Sequence, residues 1–375
     1  MSQLISKAQL KQANRILYMT HLAIGDFVYQ GAFLKEFKEQ NPHVELDIWI
    51  DDSRTKPKAW HADRNTTLCQ WLNDESYINQ VYPIVKTNSE RNHFIKKAHN
   101  KNYDLIFFIA TTRSESYAKI ARKISCTATI TGIKSAPLKS PLKSWWHFRA
   151  LDSFYFENSK QLQNHNHITN LYQARFKKLI GLEVAENKRA LKILPEKKYL
   201  LSAQYILSEL KNKYDLVDTK TIFINHLSTT IKRDYQWIQV KELLIKLSSI
   251  NNKLSFIINS PPSLLENIEK QINDDEQLNK LPIKTFSAMA HFFELPAMIK
   301  CCDYVISVET AIMHLASSVG TPQIALIRES ARHWRPLGKS TVLFGKGRVD
   351  MISPNQITDA FEELTQKEVF NEPSI

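Results

Sequence analysis

Apolar and polar positions follow two different periods along this chain, and the two periods alternate. In the N-terminal half, strands are predicted at 15–20 from a short apolar run, at 44–50 from alternating apolar and polar residues, and at 77–85 and 103–109. Apolar residues at helical spacing predict a helix over 26–40, which Asn41 and Pro42 end. A separate amphipathic segment before Gln12 predicts an N-terminal helix.

The same alternation starts again at Thr219. Strands are predicted at 221–225, 254–258, 304–307 and 323–327, and helices at 235–248, 295–302, 311–319 and 354–368. Gly320 is placed to close the helix that precedes it. Alternating strands and helices are typical of parallel βαβ units. The pattern therefore predicts an α/β protein with two doubly wound domains facing a central cleft.

The domain boundaries follow from the segments between these elements. We predict an N-terminal helical extension over 1–13, a first domain over 14–200, a second domain over 215–352 and a C-terminal helix over 353–375. Residues 132–149 contain two prolines and a glycine, which predicts a loop. Residues 159–214 are interpreted as Lys-rich helix.

Composition indicates globular domains and limits where the protein can reside. The 375 residues are 43% hydrophobic and 23% charged, which is typical of folded chains and long enough for two domains. No apolar run approaches the length of a membrane-spanning helix and the N-terminus lacks a secretory pattern, so we expect a cytoplasmic location. The four cysteines lack zinc spacing, and we expect reduced, buried thiols.

Charge and glycine content exclude some function classes and leave others open. A net charge of +12 suits nucleic acid, an anionic membrane or a phosphorylated substrate, but equally a Lys-rich surface without a partner. The sequence lacks nucleic-acid-binding motifs, so we expect no nucleic acid. With eight glycines, no GxGxxG after the first strand and no Walker sequence, it is neither a standard dinucleotide enzyme nor a P-loop NTPase. Asp51 and Asp52 lack an evident third metal ligand and are interpreted as a turn.

The first candidate for chemistry is Asp26, where the first strand gives way to its helix. Ligands of open parallel sheets bind outside the carboxyl ends of the strands, so a carboxylate here could take a proton from an acceptor hydroxyl. Aspartate is also a good helix cap, and the position alone favours the cap.

Two more candidates occupy similar positions in the C-terminal half. After the strand at 221–225, hydroxyls and cations follow one another, which suits phosphate binding at a helix entrance or simply an ordinary polar loop. After the strand at 304–307 come a carboxylate for ribose hydroxyls, a capping threonine and a histidine one helical turn on. The residues are Ser228, Thr229, Thr230, Lys232 and Arg233 in the first group, and Glu309, Thr310 and His314 in the second.

The second group carries a resemblance to a known family. The stretch CCDYVISVETAIMHLASSVGTPQIALI, followed by RHWRPLG, resembles the C-terminal signature of the ADP-heptose:lipopolysaccharide heptosyltransferases. In that signature a strand leads into Asp-Thr-Gly, two more residues, His-Leu-Ala and then Gly-x-Pro. The early strand followed by IGD and the polar loop that ends at Trp237 resemble the same family. The resemblance runs discontinuously from about residue 15 to 345.

The resemblance implies a GT-B fold of two Rossmann-like domains, the N-terminal one for the acceptor and the C-terminal one for the nucleotide sugar. It implies inverting transfer of a heptose from ADP-heptose to the lipopolysaccharide inner core, without a cofactor or an essential metal. Asp26 would be the general base. Thr229, Thr230 and a nearby cation would hold the diphosphate. Glu309 would hold ribose or sugar hydroxyls, and the donor site would be lined by Thr310, Ala311 and His314.

A basic, aromatic segment suggests where an acceptor binds. Lipopolysaccharide is phosphorylated and held at a membrane, so lysines and tryptophans within 132–149 suit contact with its core and with the cytoplasmic face of the inner membrane. The alternative is that the tryptophans pack on their own domain. The candidate acceptor residues are Lys139, Lys143, Trp145, Trp146 and Arg149.

The chain also departs from the family pattern. Glu309 stands where the family has Asp, Ala311 where it has Gly, and Tyr235 and Gln236 precede Trp237 where the family usually has a lysine. These departures keep two alternatives open. One is a transferase of the same fold with another nucleotide sugar, and the other is a GT-B-like protein that binds its ligand without catalysis.

Overall fold

The computed structural model describes residues 3–51, 59–135, 148–157 and 165–371, with backbone only at 59–64, 135 and 367–371. The chain divides into two compact units, 1–191 and 192–375. The division falls before the boundary that the sequence suggested. The helix over Lys197–Lys213 therefore belongs to the second unit, where it packs against the helix over Glu294–Cys301.

The first unit contains a parallel sheet with the order β3-β2-β1-β4-β5-β6. Its strands are β1 (Arg15–Met19), β2 (Glu45–Trp49), β3 (Gln80–Tyr82), β4 (Leu105–Phe108), β5 (Thr129–Ser135) and β6 (Ser153–Glu157). The helices described are α1 (Lys7–Gln12), α2 (Ile24–Gln40), α3 (Ala59–Asp74), α4 (Asn88–His99), α5 (Ser114–Ile124) and α6 (Ile168–Ile180).

Aromatic side chains fill the core of the first unit. All four residues of β4 are buried, as expected for a parallel strand covered on both faces. On one side of the sheet, the ring of Phe33 in α2 stacks on Phe176 in α6 with centroids 5.0 Å apart. Phe107 of β4 meets the same Phe176 edge-on. These contacts fix α6 against the sheet, which matters for the site described below.

The predicted N-terminal helix is confirmed and is integrated into the first unit. Ser6 caps α1, and Ile5 and Leu10 are buried. Just before the helix, the backbone N–H groups of Leu4 and Ile5 donate to the carbonyls of Lys178 and Leu179 at the end of α6. The extension is therefore held by its backbone as well as by apolar burial.

The second unit repeats the architecture of the first, with the strand order β12-β11-β10-β7-β8-β9. Its strands are β7 (Lys220–Asn225), β8 (Leu254–Asn259), β9 (Ile283–Phe286), β10 (Tyr304–Val308), β11 (Gln323–Arg328) and β12 (Ser340–Gly345). The helices described are α7 (Lys197–Lys213), α8 (Trp237–Ile250), α9 (Leu265–Asn273), α10 (Glu294–Cys301), α11 (Ala311–Val319) and α12 (Pro354–Asn371).

Several predicted elements are confirmed with small changes at their ends. The helix over 311–319 has the predicted bounds, and Gly320 ends it in the left-handed conformation at φ 80°. Only Gln80–Tyr82 of the run 77–85 forms a strand, because Pro83 has no N–H to continue the ladder. Within the described residues, every helix is too short or too polar to span a bilayer.

Other predictions were wrong. The loop assigned to 132–149 begins inside a strand, since β5 extends to Ser135. The stretch 159–214 is not one helical region, because Gly181 ends α6 at φ 71° and α7 starts at Lys197. Cys302 is buried as expected, but Cys126 is exposed, because it lies in the turn between α5 and β5.

Candidate active site

Both sheets change direction beside their first strand. In the first unit β1 lies between β2 and β4, and in the second unit β7 lies between β8 and β10. Ligands of such sheets bind outside the carboxyl ends of the strands at this switch point. The three candidate groups follow β1, β7 and β10, so each lies at the switch point of its own sheet.

Asp26 lies in the first turn of α2 and is half-buried. Its Oδ2 accepts a hydrogen bond of 3.0 Å from the N–H of Ala23, so Asp26 does cap the helix. Its Oδ1 accepts a bond of 2.9 Å from the hydroxyl of Tyr172 in α6. Gly25 belongs to the helix rather than to a turn before it. The base role stays a prediction, and the cap does not exclude it.

Tyr172 is a suitable partner for an ionised carboxylate. It is buried, and burial together with the neighbouring Asp26 raises the pKa of Tyr172 well above its usual range. The phenol therefore keeps its proton and donates a hydrogen bond to the carboxylate. Because α6 is packed on the sheet through Phe176, the orientation of Asp26 is set by the core of the unit.

In the second unit, polar side chains join three adjacent strand ends. Asn259 of β8 donates from Nδ2 to Oδ1 of Asn225 at 2.9 Å. Asn225 of β7 donates in turn to Oγ1 of Thr310, just after β10, at 3.0 Å. Thr310 also caps α11 by accepting from the N–H of Ile312. This polar row ties the loop after β7 to the start of α11.

The loop after β7 folds around Arg233. The guanidinium donates from Nε to Oγ1 of Thr230 at 2.9 Å and from Nη2 to Oγ1 of Thr229 at 2.6 Å. The hydroxyl of Ser228 accepts from the N–H of Thr230 at 3.0 Å. Both threonines and Lys232 are exposed. The loop thus presents a guanidinium and two hydroxyls as one preformed group.

One expectation about this loop was wrong. Ser228, Thr229 and Thr230 do not stand at the entrance of an α-helix, because α8 begins only at Trp237. Thr230 instead precedes a single 3₁₀ turn, Ile231–Arg233. A three-residue turn has little dipole, so binding of a phosphate here would depend on Arg233 and the hydroxyls.

Two buried side chains, His226 and Tyr235, lie in the segment between β7 and α8. Burial lowers the pKa of His226 from 6.5 to about 4, and its Nδ1 has no hydrogen-bond partner among the described residues. Its ring lies 5.6 Å from that of Trp237. Tyr235, which stands near the family's lysine position, is 2% exposed and donates its N–H to the carbonyl of His226. The cation that is bonded to the loop hydroxyls is Arg233, and the two residues directly before Trp237 are uncharged.

Glu309 is paired with a residue that sequence reasoning missed. Its Oε1 accepts from Nη2 of Arg328 at 2.7 Å, and its Oε2 accepts from Nε of the same side chain at 3.0 Å. Ala311 begins α11, and the buried ring of His314 lies 6.0 Å from that of Trp334. The predicted group Glu309, Thr310, Ala311 and His314 is thus gathered at one strand end.

The acceptor candidates are covered only in part. Lys139, Lys143, Trp145 and Trp146 lie outside the described residues, and Arg149 is exposed. Lys134, at the start of the same basic region, lies over the rings of Phe148 and Phe154 at 5.1 and 5.3 Å. Phe148 is buried, so this part of the region packs on its own unit.

A metal site was not predicted, and the geometry gives the nearest candidate another role. The carboxylate of Asp51 is buried in an ion pair with Arg91 of α4. Among the residues that the structure describes, no three His, Cys, Asp or Glu side chains are grouped to hold an ion.

A comparison with known families shows which family the chain belongs to. The sequence profile of glycosyltransferase family 9 (heptosyltransferase) matches residues 91–362, which is well over half of the chain. The chain belongs to glycosyltransferase family 9. A member of this family is a glycosyltransferase, and the match includes the loop after β7 and the Glu309 group. It begins at Arg91 and so leaves Asp26 outside.

Solved structures agree with the family in fold. The family 9 glycosyl transferase of Veillonella parvula DSM 2008 aligns with a TM-score of 0.71 at 16% identity, over 94% of this chain and 98% of that one. The ADP-heptose LPS heptosyltransferase II of E. coli gives 0.67 at 14%, over 94% and 99%. E. coli heptosyltransferase WaaC with ADP gives 0.63 at 14%, over 93% and 99%. The two-domain GT-B-like fold is therefore confirmed. A comparison with curated protein sequences gives no match.

The residues that sequence reasoning missed had weak local signals. Tyr172 is 146 residues from Asp26, so no motif connects them. Asn225 and Asn259 each end a strand at the carboxyl edge, a position that could have identified them. Arg328 is likewise the last residue of its strand, next to the strand that leads to Glu309.

Proposed function

We propose that this family 9 glycosyltransferase moves a heptose from ADP-heptose to the lipopolysaccharide inner core, with inversion at the anomeric carbon. The observation that carries the proposal is the polar row Asn259, Asn225 and Thr310, which joins the carboxyl ends of β8 and β7 to the start of α11 at the switch point. Hydroxyls, a guanidinium and a helix N-terminus at one sheet edge suit a nucleoside diphosphate. The E. coli relatives of the same fold carry ADP-heptose and ADP in their names.

In the proposed reaction each group has a distinct task. Asp26 removes the proton of the acceptor hydroxyl as that oxygen attacks the anomeric carbon. Arg233, with Thr229 and Thr230, stabilises the charge that develops on the leaving diphosphate. The direct bond from Tyr172 keeps the carboxylate of Asp26 in one orientation. No cofactor is part of this proposal.

The charge of the chain supports the acceptor part of the proposal. A phosphorylated, membrane-held lipopolysaccharide core suits the positive charge of the chain and the basic region that includes Lys134 and Arg149. A peripheral contact with the membrane surface would follow from such an acceptor.

One observation favours a second candidate, a transferase of the same family with another nucleotide sugar. Both carboxylate oxygens of Glu309 are engaged by Arg328, so Glu309 offers fewer acceptors to ribose or sugar hydroxyls than an unpaired carboxylate would. A donor with fewer or differently placed hydroxyls would fit that arrangement. The acceptor assay described below distinguishes an enzyme from a protein that binds its ligand without catalysis.

The test is a thermal-shift screen of the full chain against ADP, UDP, GDP, CMP and ADP-heptose. A ligand that binds only the folded state raises the melting temperature. We expect a shift with ADP and a larger one with ADP-heptose. A shift only with UDP, GDP or CMP would replace the donor. No shift with any of the five would contradict the proposed function.

An acceptor assay then separates an enzyme from a binding protein. Transfer of heptose to a heptose-deficient lipopolysaccharide core is measured for the wild type, Asp26→Asn and the exposed control Asp74→Asn. We expect Asp26→Asn to abolish transfer while ADP-heptose still shifts the melting temperature, and the control to behave as the wild type. Transfer unaffected by Asp26→Asn would remove Asp26 from the mechanism. A wild type that binds donor but transfers nothing to any core acceptor would favour the binding protein.

A further inference from the structure

The ion pair between Glu309 and Arg328 is the strongest feature of the second unit that the proposed reaction does not yet use. Two hydrogen bonds run side by side from the guanidinium to the carboxylate, at 2.7 and 3.0 Å. The backbone N–H of Arg328 adds a third bond of 3.2 Å to Oε2. The side chain of Glu309 is 10% exposed and that of Arg328 is 25% exposed. The pair is largely screened from water by protein.

The pair lies directly beside the proposed phosphate site. Glu309 is the residue before Thr310, which caps α11 and is bonded to Asn225. Arg328 ends β11, the strand that pairs with β10 on the other side from β7. A poorly hydrated carboxylate at this place would repel a diphosphate strongly, because little water screens the two charges.

Arg328 removes the repulsion between the carboxylate of Glu309 and the diphosphate. A bidentate guanidinium neutralises the carboxylate and fixes its plane, which a lysine would not do with the same geometry. The extra methylene of glutamate gives the carboxylate the reach to meet Arg328 at the end of the next strand. The departure at Glu309 and the arginine at 328 are therefore parts of one arrangement.

We propose that Arg328 is a positioning residue for the nucleotide-sugar donor, which acts through Glu309 by neutralising its carboxylate beside the donor diphosphate. The inference rests on the proposed function, because it needs a diphosphate at the start of α11. It assigns Arg328 no direct contact with the donor. Its effect must therefore depend on the presence of the charge on Glu309.

That dependence gives a double-mutant test. Binding of adenosine, AMP and ADP to the full chain is measured by calorimetry for the wild type, Arg328→Gln, Glu309→Gln and the double variant. Arg332→Gln is the matched control. Arg332 is an exposed arginine four residues after Arg328, and its guanidinium lies over the ring of Phe344. Circular dichroism verifies that each variant is folded.

We expect Arg328→Gln to weaken ADP binding by about tenfold or more, because it exposes the diphosphate to an unpaired carboxylate. The loss of affinity should be smaller for AMP, which has one phosphate to be repelled by the carboxylate of Glu309. It should be near zero for adenosine, which has none. Glu309→Gln in the Arg328→Gln background should restore ADP affinity to within about threefold of the wild type, as expected for coupled residues. The Arg332→Gln control should leave all three affinities unchanged.

Three outcomes would overturn the inference. The double variant could bind ADP as weakly as Arg328→Gln, which would mean that Arg328 acts independently of Glu309. Adenosine could be weakened as much as ADP, which would indicate a purely structural role. Arg328→Gln could bind ADP normally. If Arg328→Gln does not fold, the uncharged variant Arg328→Met replaces it: a phosphate-dependent loss of affinity, rescued by Glu309→Gln, is expected, and its absence counts against the inference. A wild type without any ADP affinity would instead refute the proposed function.

Discussion

The imidazole of His226 couples the stability of the second unit to pH. The side chain is 4% exposed at the end of β7, against the ring of Trp237. Burial lowers the pKa of His226 from 6.5 to about 4, because the charged form would lose its hydration without gaining a partner. In the unfolded chain the imidazole regains its ordinary pKa. Between the two values, unfolding takes up a proton.

The sign and size of the effect follow from the depressed pKa. The contribution of His226 to stability is fully present above pH 6.5 and is lost as the pH falls through about 4. A difference of roughly 2.5 pKa units corresponds to about 3 kcal/mol of unfolding free energy, as an order of magnitude.

The assay is amide hydrogen exchange of β7 in the full chain, because it reports opening of the second unit alone. The wild type, His226→Gln and the exposed control His43→Gln are compared at the same pH, so that intrinsic exchange rates cancel. From about pH 7.5 to about pH 4.5, protection of β7 in the wild type should fall about a hundredfold relative to His226→Gln. His43→Gln should follow the wild type at every pH.

A constant ratio of protection between wild type and His226→Gln over this range would refute the reasoning. It would mean that the folded state accepts a proton on His226 as readily as the unfolded state does. A ratio that moves in the opposite direction would mean that the folded state holds the imidazolium in preference.

Two further predictions concern the first unit. Tyr172→Phe removes the hydroxyl bonded to Asp26, so kcat in a transfer assay should fall by about tenfold with KM little changed. The control Tyr77→Phe loses only a bond to a backbone carbonyl and should not change kcat. Equal effects of the two variants on kcat would exclude a role of Tyr172 in orienting the base. Burial raises the pKa of Asp47, so its ionised form destabilises the fold as the pH rises. Asp47→Asn should therefore raise the free energy of unfolding near pH 7 more than near pH 4 in denaturant unfolding, and a less stable variant near pH 7 would contradict this.

The sequence predicts β1 to β4, β7, β8, β10 and β11, and misses β5, β6, β9 and β12. Leu105–Phe108 was recognisable from its four apolar residues alone. In β5, Gly132 was taken as a loop signal, yet a Cβ at this position would collide with the ring of Phe108. The glycine is there for a close approach between strands. A short strand such as Ile283–Phe286 is formed by its pairing with β8, which the local sequence does not show.

Some residues of the candidate site could be proposed from the sequence and others could not. Candidates between a strand and its helix were accessible from sequence, because the carboxyl ends of a parallel sheet are where ligands bind, and Asp26, Thr310 and Glu309 were proposed by that rule. Their partners were not predictable. The bonds from Tyr172 and Arg328 arise from packing between elements distant in sequence, and no local period records such packing.

The backbone bonds between the N-terminal extension and the end of α6 have a consequence for synthesis on the ribosome. Lys178, whose carbonyl accepts from Leu4, follows it by 174 residues. At translation rates of roughly 5–20 residues per second, the extension waits roughly 10–35 seconds for its partner to be made. During that interval the backbone N–H groups of Leu4 and Ile5 lack these partners on the nascent chain. The first unit is therefore completed late, when the segment before α1 docks onto the end of α6.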